Sequence, residues 1–132
     1  MQDLNHRVIV YGTLRQTLDN HERLVHAEFL GYETRYDIRC FDLGWFPGAK
    51  CWPSEQGVVC EVYTVNDRTL KNLDYLEGYR PHQPERSTYV RKALNTRFGE
   101  AWLYEYQGNV DNCPEVQDYV AYRNRQDIAL HG

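Results

Sequence analysis

The sequence predicts an α+β domain, a small mixed β-barrel with flanking short helices, and three observations carry that prediction. Segments that alternate apolar and polar residues, or that are rich in β-branched and aromatic ones, dominate the chain and read as strands. The apolar phase of the longest such segment slips by one at Phe41 and Leu43, marking a bulge or bend of the kind that lets a sheet curl. Helical spacing is confined to three short segments interspersed among the strands. At 132 residues and 42% hydrophobic content, the chain suffices for one domain spanning residues 1–132 and is too short for two of ordinary size.

Arg7 to Tyr11 is a β-branched and aromatic run broken at Gly12, the mark of a buried strand entering a tight turn. In that turn, Gly12-Thr13-Leu14-Arg15, a glycine followed by a threonine lets the backbone approach a bound group and offers free N–H donors and a hydroxyl. The same tetrapeptide suits an ordinary connection, and it lacks the glycine and lysine spacing of a Walker loop. Leu18 to Val25 reads as a brief helix. After Phe29-Leu30-Gly31, residues Tyr32, Thr34, Tyr36, Ile38 and Cys40 alternate with Glu33, Arg35, Asp37 and Arg39, as in one half-buried strand. Gly44 to Lys50 is a loop by its glycines and proline, and its Trp45 and Phe46 either line a pocket or cap the core. Gly57 to Tyr63 is a further strand.

Asn66 to Tyr79 is the stretch around which function is organised. Asn66 can cap a helix, Val65 can staple against Leu70, and Gly78 can take the left-handed conformation that ends it. At about 100° per residue, Leu70, Leu73 and Leu76 share one face, and Glu77 falls between Leu70 and Leu73 as the carboxylate expected to point to the core. Burial and the negative end of the helix dipole would both raise its pKa, which suits a general acid/base. From the helix pattern alone, a frayed last turn that lets Glu77 curl into solvent, as glutamates near helix ends commonly do, is the favoured alternative. Arg80 to Arg86 is irregular because of Pro81 and Pro84, either a flap beside Glu77 or a surface connection. Ser87 to Leu94 and Glu100 to Tyr106 form a hairpin across Asn95 to Gly99 and bring tyrosines together. From Pro114, placed at a first helical position, Val116, Tyr119, Val120 and Arg123 have helical spacing, and the last residues are expected to be loose.

A net charge of -4, with no dense basic block, argues against nucleic acid as a partner, including a role for the 11 tyrosines in stacking on bases. The apolar run Val8 to Tyr11 follows a polar start and is neither a signal core nor a membrane span, so a cytoplasmic protein without a membrane partner is expected. Cys40, Cys51, Cys60 and Cys113 show no C-x-x-C spacing, and the histidines form no H-x-x-x-H pair. Reduced thiols and no metal are therefore the expectation.

The chain resembles the gamma-glutamyl cyclotransferase-like family, whose fold is shared by gamma-glutamylamine and butirosin-pathway cyclotransferases. The carrying residues are Tyr11-Gly12-Thr13-Leu14-Arg15, Pro47-Gly48-Ala49, Gly57 through Glu61-Val62-Tyr63, Leu73-Asp74-Tyr75-Leu76-Glu77-Gly78-Tyr79, Ser87 with Tyr89 and Arg91, and Ala101-Trp102 with Tyr104. The resemblance implies a pocket floored by the Y-G-T-L turn and a catalytic glutamate at Glu77. It also implies that a gamma-glutamyl amide closes on itself to give 5-oxoproline and a free amine. Some members carry Gly-Asp-Trp near the C-terminus, where this chain has Gln126-Asp127-Ile128-Ala129, which bears on the far pocket wall.

That reaction requires no metal or cofactor, only a base for the substrate's ammonium and a site that holds the molecule curled. The substrate-binding candidates are Tyr11, Gly12, Thr13 and Leu14, whose backbone can grip a carboxylate or an oxyanion, with Tyr89 and Tyr104 as wall or hydrogen-bonding residues. Arg15 and Arg91 are expected in structural salt bridges. The alternative is a non-catalytic binding module for a gamma-glutamyl or related small-molecule group.

Overall fold

The computed structural model describes residues 4–131, with side chains through residue 126. β1 (His6–Val10) sits mid-sheet, and its alternation is buried on both sides. Ile9 and the following Tyr11 enter one apolar cluster, while Val8 and Val10 enter a second beneath helix α1 (Asp67–Leu76). β1 pairs antiparallel with β5 (Val58–Val65) and parallel with β7 (Gly99–Tyr106).

Among the described residues, eight strands form one mixed sheet. β2 (Glu28–Arg35) lies outside β5. Beyond β7 come β4 (Pro47–Lys50), β3 (Arg39–Asp42) and the two-residue β8 (Glu115–Val116). β6 (Tyr89–Thr96) runs along β7 for its full length, so β1 and β4 must share the other edge. The functional cavity opens where one of these strands gives way to the next.

The sheet is a curled half-barrel, and both margins are tied back. The Val59 N–H donates to the Gln117 carbonyl at 2.8 Å, beside β8. On the other side, Arg35 Nη2 donates to Asn95 O at 2.9 Å and Arg97 Nη2 to Tyr32 O at 2.9 Å, fastening β2 to the β6–β7 hairpin.

Helix α1 forms as its local signals direct. Asn66 Oδ1 accepts from Thr69 N at 2.8 Å, Val65 and Leu70 are buried together, and Gly78 takes φ +65°.

Elsewhere the structure corrects the pattern. The long alternating segment breaks into β2 and β3, with Tyr32 and Tyr36 51% and 59% exposed and Arg35 buried. Arg35 can take an inward position because Glu33 Oε2 and Asp37 Oδ2 each lie 2.7 Å from its guanidinium, and the turn that follows resets the phase so that Ile38 and Cys40 point in. The register shift lies between Phe29 and Gly31; just past Phe41 the chain leaves β3 and bends at Leu43 into the turn to β4, where Leu43 N donates to Phe46 O at 3.0 Å. The segment read as a loop from Gly44 becomes β4 at Pro47, the first strand position, where a missing N–H is tolerated. The brief helix at Leu18 to Val25 is a single 3-10 turn, His21–Leu24.

Pro114 opens no helix. Val116 pairs with Cys40 in β8, and α2 (Tyr119–His131) begins after Asp118, whose Oδ1 accepts from Ala121 N at 3.2 Å. The backbone read as loose at the C-terminus is thus helical to His131. The side chains of Asp127, Ile128 and Ala129, where the Gly-Asp-Trp signature is replaced, lie outside the described residues. No described helix is long and apolar enough to cross a membrane, and the four cysteines are free thiols.

Candidate active site

A cavity of about 250 Å³ opens between the end of β1, the last turn of α1 and the β6–β7 hairpin. It is lined by Tyr11, Gly12, Thr13, Leu14, Glu77, Tyr89 and Tyr104, so every site residue named from sequence meets in one place. Asn20, Phe46, Pro47, Tyr75 and Thr88 complete much of the wall. The volume suits an amino-acid-sized group better than a large ligand.

The turn after β1 supplies donors. Arg15 N bonds back to Gly12 O at 3.0 Å and Asn20 N to Thr13 O at 3.0 Å, whereas the N–H groups of Gly12, Thr13 and Leu14 have no protein acceptor among the described residues. Consecutive unpaired backbone N–H groups beside a cavity are ready to bind an anion. Asn20 Nδ2 donates to Thr13 Oγ1 at 2.9 Å, leaving the threonine proton free to donate. Sequence reasoning missed Asn20, because nothing in a turn of mixed polarity marks one amide as returning to the threonine seven residues before it.

Arg15 is structural. It lies 2.8 Å from both Glu61 Oε2 and Asp118 Oδ1 and pins the turn to β5 and to the start of α2. Arg91 pairs with Asp74 at 3.3 Å.

Gly12 is required by packing. A Cβ there would lie 2.3 Å from Pro47 Cγ, too close for any real contact. Gly12→Ala is expected to force the turn away from β4, cost about 1–3 kcal/mol of stability and lower substrate affinity. Chemical unfolding together with KM checks both effects.

Glu77 follows the final turn of α1 as its C-cap, with its N–H on Leu73 O at 2.9 Å. The chain then loops out through residues 79–87 and returns beside the helix end, where Thr88 N donates to Gly78 O at 3.1 Å. This hydrogen bond holds the helix end against the cavity. No described side chain donates to the Glu77 carboxyl, and burial alone pushes its pKa up to about 7. Glu77 is not the only acid on the inward face, however. Asp74 follows Leu70 by four positions, lies on the margin of the same stripe, and its side chain is 14% exposed.

The tyrosines are fixed by their hydroxyls. Tyr11 donates to Tyr104 O at 2.8 Å and accepts from Ala49 N at 3.1 Å, bridging β7 and β4 where a direct ladder bond would stand. Tyr89 donates to Pro47 O at 2.7 Å, and Tyr104 to Asp74 Oδ1 at 2.6 Å. Burial first, then the neighbouring Glu77 and Asp74 carboxylates, push the Tyr89 and Tyr104 phenols well up, and burial does the same for Tyr11. All three are therefore neutral at physiological pH. Among the described residues, no group of acidic, histidine or cysteine side chains is arranged to hold a metal ion.

Comparison with known proteins accords with this geometry. The family model described as gamma-glutamyl cyclotransferase, AIG2-like, matches residues 8–124. A Vibrio cholerae protein named as a candidate gamma-glutamylcyclotransferase is 41% identical over 105 residues, covering 79% of this chain and 84% of that protein. The gamma-L-glutamyl-butirosin B gamma-glutamyl cyclotransferase of Niallia circulans is 31% identical over 125 residues, covering 88% and 76%. Among solved structures, the Escherichia coli protein ytfP aligns with TM-score 0.66 at 32% identity, over 85% of this chain and 92% of that one. An uncharacterized Pyrococcus horikoshii protein, PH0828, has TM-score 0.75 at 23% identity over 93% and 97%, a likeness of fold. With its turn, glutamate and curled sheet all within the matched span, the chain belongs to the gamma-glutamyl cyclotransferase, AIG2-like family.

Proposed function

We propose that the protein is a metal-independent gamma-glutamyl cyclotransferase that releases 5-oxoproline and a free amine from a gamma-glutamyl amine or peptide, with Glu77 as general acid/base. The observation that carries this reading is that one half-buried carboxyl, Glu77, lines the same cavity as three unpaired backbone donors, and burial pushes its pKa up to about 7.

At neutral pH the substrate's α-amine is mostly an ammonium and cannot attack. Ionised Glu77 takes one of its protons. The freed nitrogen lone pair adds to the side-chain amide carbonyl carbon, closing the five-membered ring and placing negative charge on the carbonyl oxygen. Collapse re-forms the carbonyl and breaks the bond to the departing nitrogen, which receives the proton from Glu77; the surplus proton left on the ring nitrogen then passes through the same carboxylate to the freed amine, which leaves as an ammonium. The same carboxyl thus ends as it began. Attack within one molecule draws much of its acceleration from being held curled, and the turn's N–H groups suit the α-carboxylate or the developing oxyanion. The departing amine would face Phe46 and Tyr75, of which Tyr75 is 88% exposed at the rim.

Incubation with a panel of gamma-glutamyl compounds tests the proposal through 5-oxoproline release. Binding without product across the panel would favour a binding module instead. The pH profile is a second expected outcome. Because the base must be ionised, kcat/KM should climb through about pH 7 and fall tenfold per unit on the acid side, a profile that titrated initial rates would reveal.

A further inference from the structure

Asp74 carries a contact set that the reaction scheme does not use. Tyr104 donates to its Oδ1 at 2.6 Å, and Arg91 Nε lies 3.3 Å from the same oxygen. The Asp74 and Arg91 side chains are only 14% and 18% exposed. The Arg91 guanidinium in turn lies over the rings of Tyr79 and Trp102, 5.1 and 4.7 Å from their centroids. The carboxylate is therefore ion-paired, without a hydrogen bond, to a cation that two rings hold in place. Asp74 does not line the cavity, but Tyr104 does.

A phenol has one proton and two lone pairs. Donation to a carboxylate is the stronger kind of hydrogen bond, so the Tyr104 hydroxyl keeps its proton pointed at Asp74 and the oxygen has only lone pairs left to offer. Tyr11 and Tyr89 commit their protons in the same way, to Tyr104 O and Pro47 O. The turn at Gly12 to Leu14 has the opposite character, with backbone donors that lack acceptors. A cavity with both kinds of wall matches an α-carbon bearing an ammonium and a carboxylate.

Resting on the gamma-glutamyl reading above, we propose that Asp74, braced by Arg91, is a positioning residue that makes Tyr104 an acceptor for the substrate's α-ammonium. The ammonium is thereby presented to Glu77, and the turn's donors are left for the anionic groups. Without Asp74 the Tyr104 hydroxyl is free to turn its proton into the cavity, where it repels the ammonium and competes for Glu77.

The test compares two ligands by calorimetry: L-glutamine, and glutaramic acid, which is the same chain without the α-amine. Wild-type protein should bind glutamine more tightly. Asp74→Ala and Tyr104→Phe should each weaken glutamine binding about tenfold while leaving glutaramic acid nearly unchanged, and the double variant should be no worse than either. Equal losses for both ligands would assign Asp74 a purely structural role and overturn the proposal, as would no loss at all. If Asp74→Ala does not fold, Tyr104→Phe, which keeps the ring, decides the matter through the ratio of the two affinities. Wild-type protein that binds neither ligand would remove the gamma-glutamyl reading itself and this inference with it.

Discussion

Glu77→Gln is expected to lower 5-oxoproline release by about 10²–10⁴-fold while the protein stays folded. Glutamine keeps the shape of the side chain and cannot take the ammonium proton. The substitution should also stabilise the protein at alkaline pH. The folded pKa of Glu77, about 7, lies above the ordinary carboxyl value, so the fold favours the neutral form. That contribution is fully present below the unfolded pKa and is lost as pH rises through about 7. The uncharged variant does not lose it, so above that pH it should exceed wild type by up to ~3 kcal/mol. Turnover assays paired with denaturant unfolding at pH 5 and pH 8.5 check both halves. A variant that turns over near the wild-type rate removes Glu77 from the chemistry.

Arg15→Met is expected to give the largest loss of stability, about 3–5 kcal/mol by denaturant unfolding at neutral pH. Arg15 is 4% exposed and Glu61 only 1% exposed, so removing the cation leaves a carboxylate inside the fold. Gln16 N at 3.0 Å and Tyr63 OH at 2.7 Å still donate to Glu61 but do not cancel its charge. The double variant Arg15→Met with Glu61→Leu should recover part of the loss, since the buried charge is then gone. No recovery would mean that the arginine acts through packing alone. Activity should fall too, because the same side chain anchors the turn that supplies the backbone donors.

Much of this was legible in the sequence wherever the signal is local. The start and stop of α1 could be read to within a residue because cap, staple and stop lie within fourteen positions of one another, and β1, β5 and the β6–β7 hairpin announce themselves by composition. The fold failed to read where a tertiary partner overrode a pattern. Arg35 occupies an inward position that alternation assigns to apolar residues, because Glu33 on the strand and Asp37 in the following turn both reach its guanidinium and Asn95 O reaches it from β6. Val116 looks helical by spacing and is a strand residue because β3 offers it an edge.

The named site residues converge because β1, β6 and β7 lie side by side and α1 ends over them, a register that no single segment encodes. Asp74 was hidden by its neighbour. Once Glu77 accounted for the acid on the inward face, nothing in the sequence showed that Tyr104 and Arg91 reach back to Asp74 from the hairpin.

The proposed chemistry needs one half-buried carboxyl in the cavity, that of Glu77, to change charge near neutrality. Carbon-13 NMR titration of the Glu77 side-chain carboxyl, assigned by its disappearance in Glu77→Gln, measures that property in the free protein. The predicted midpoint is about 7. A midpoint at the ordinary glutamate value of about 4.3 would contradict it.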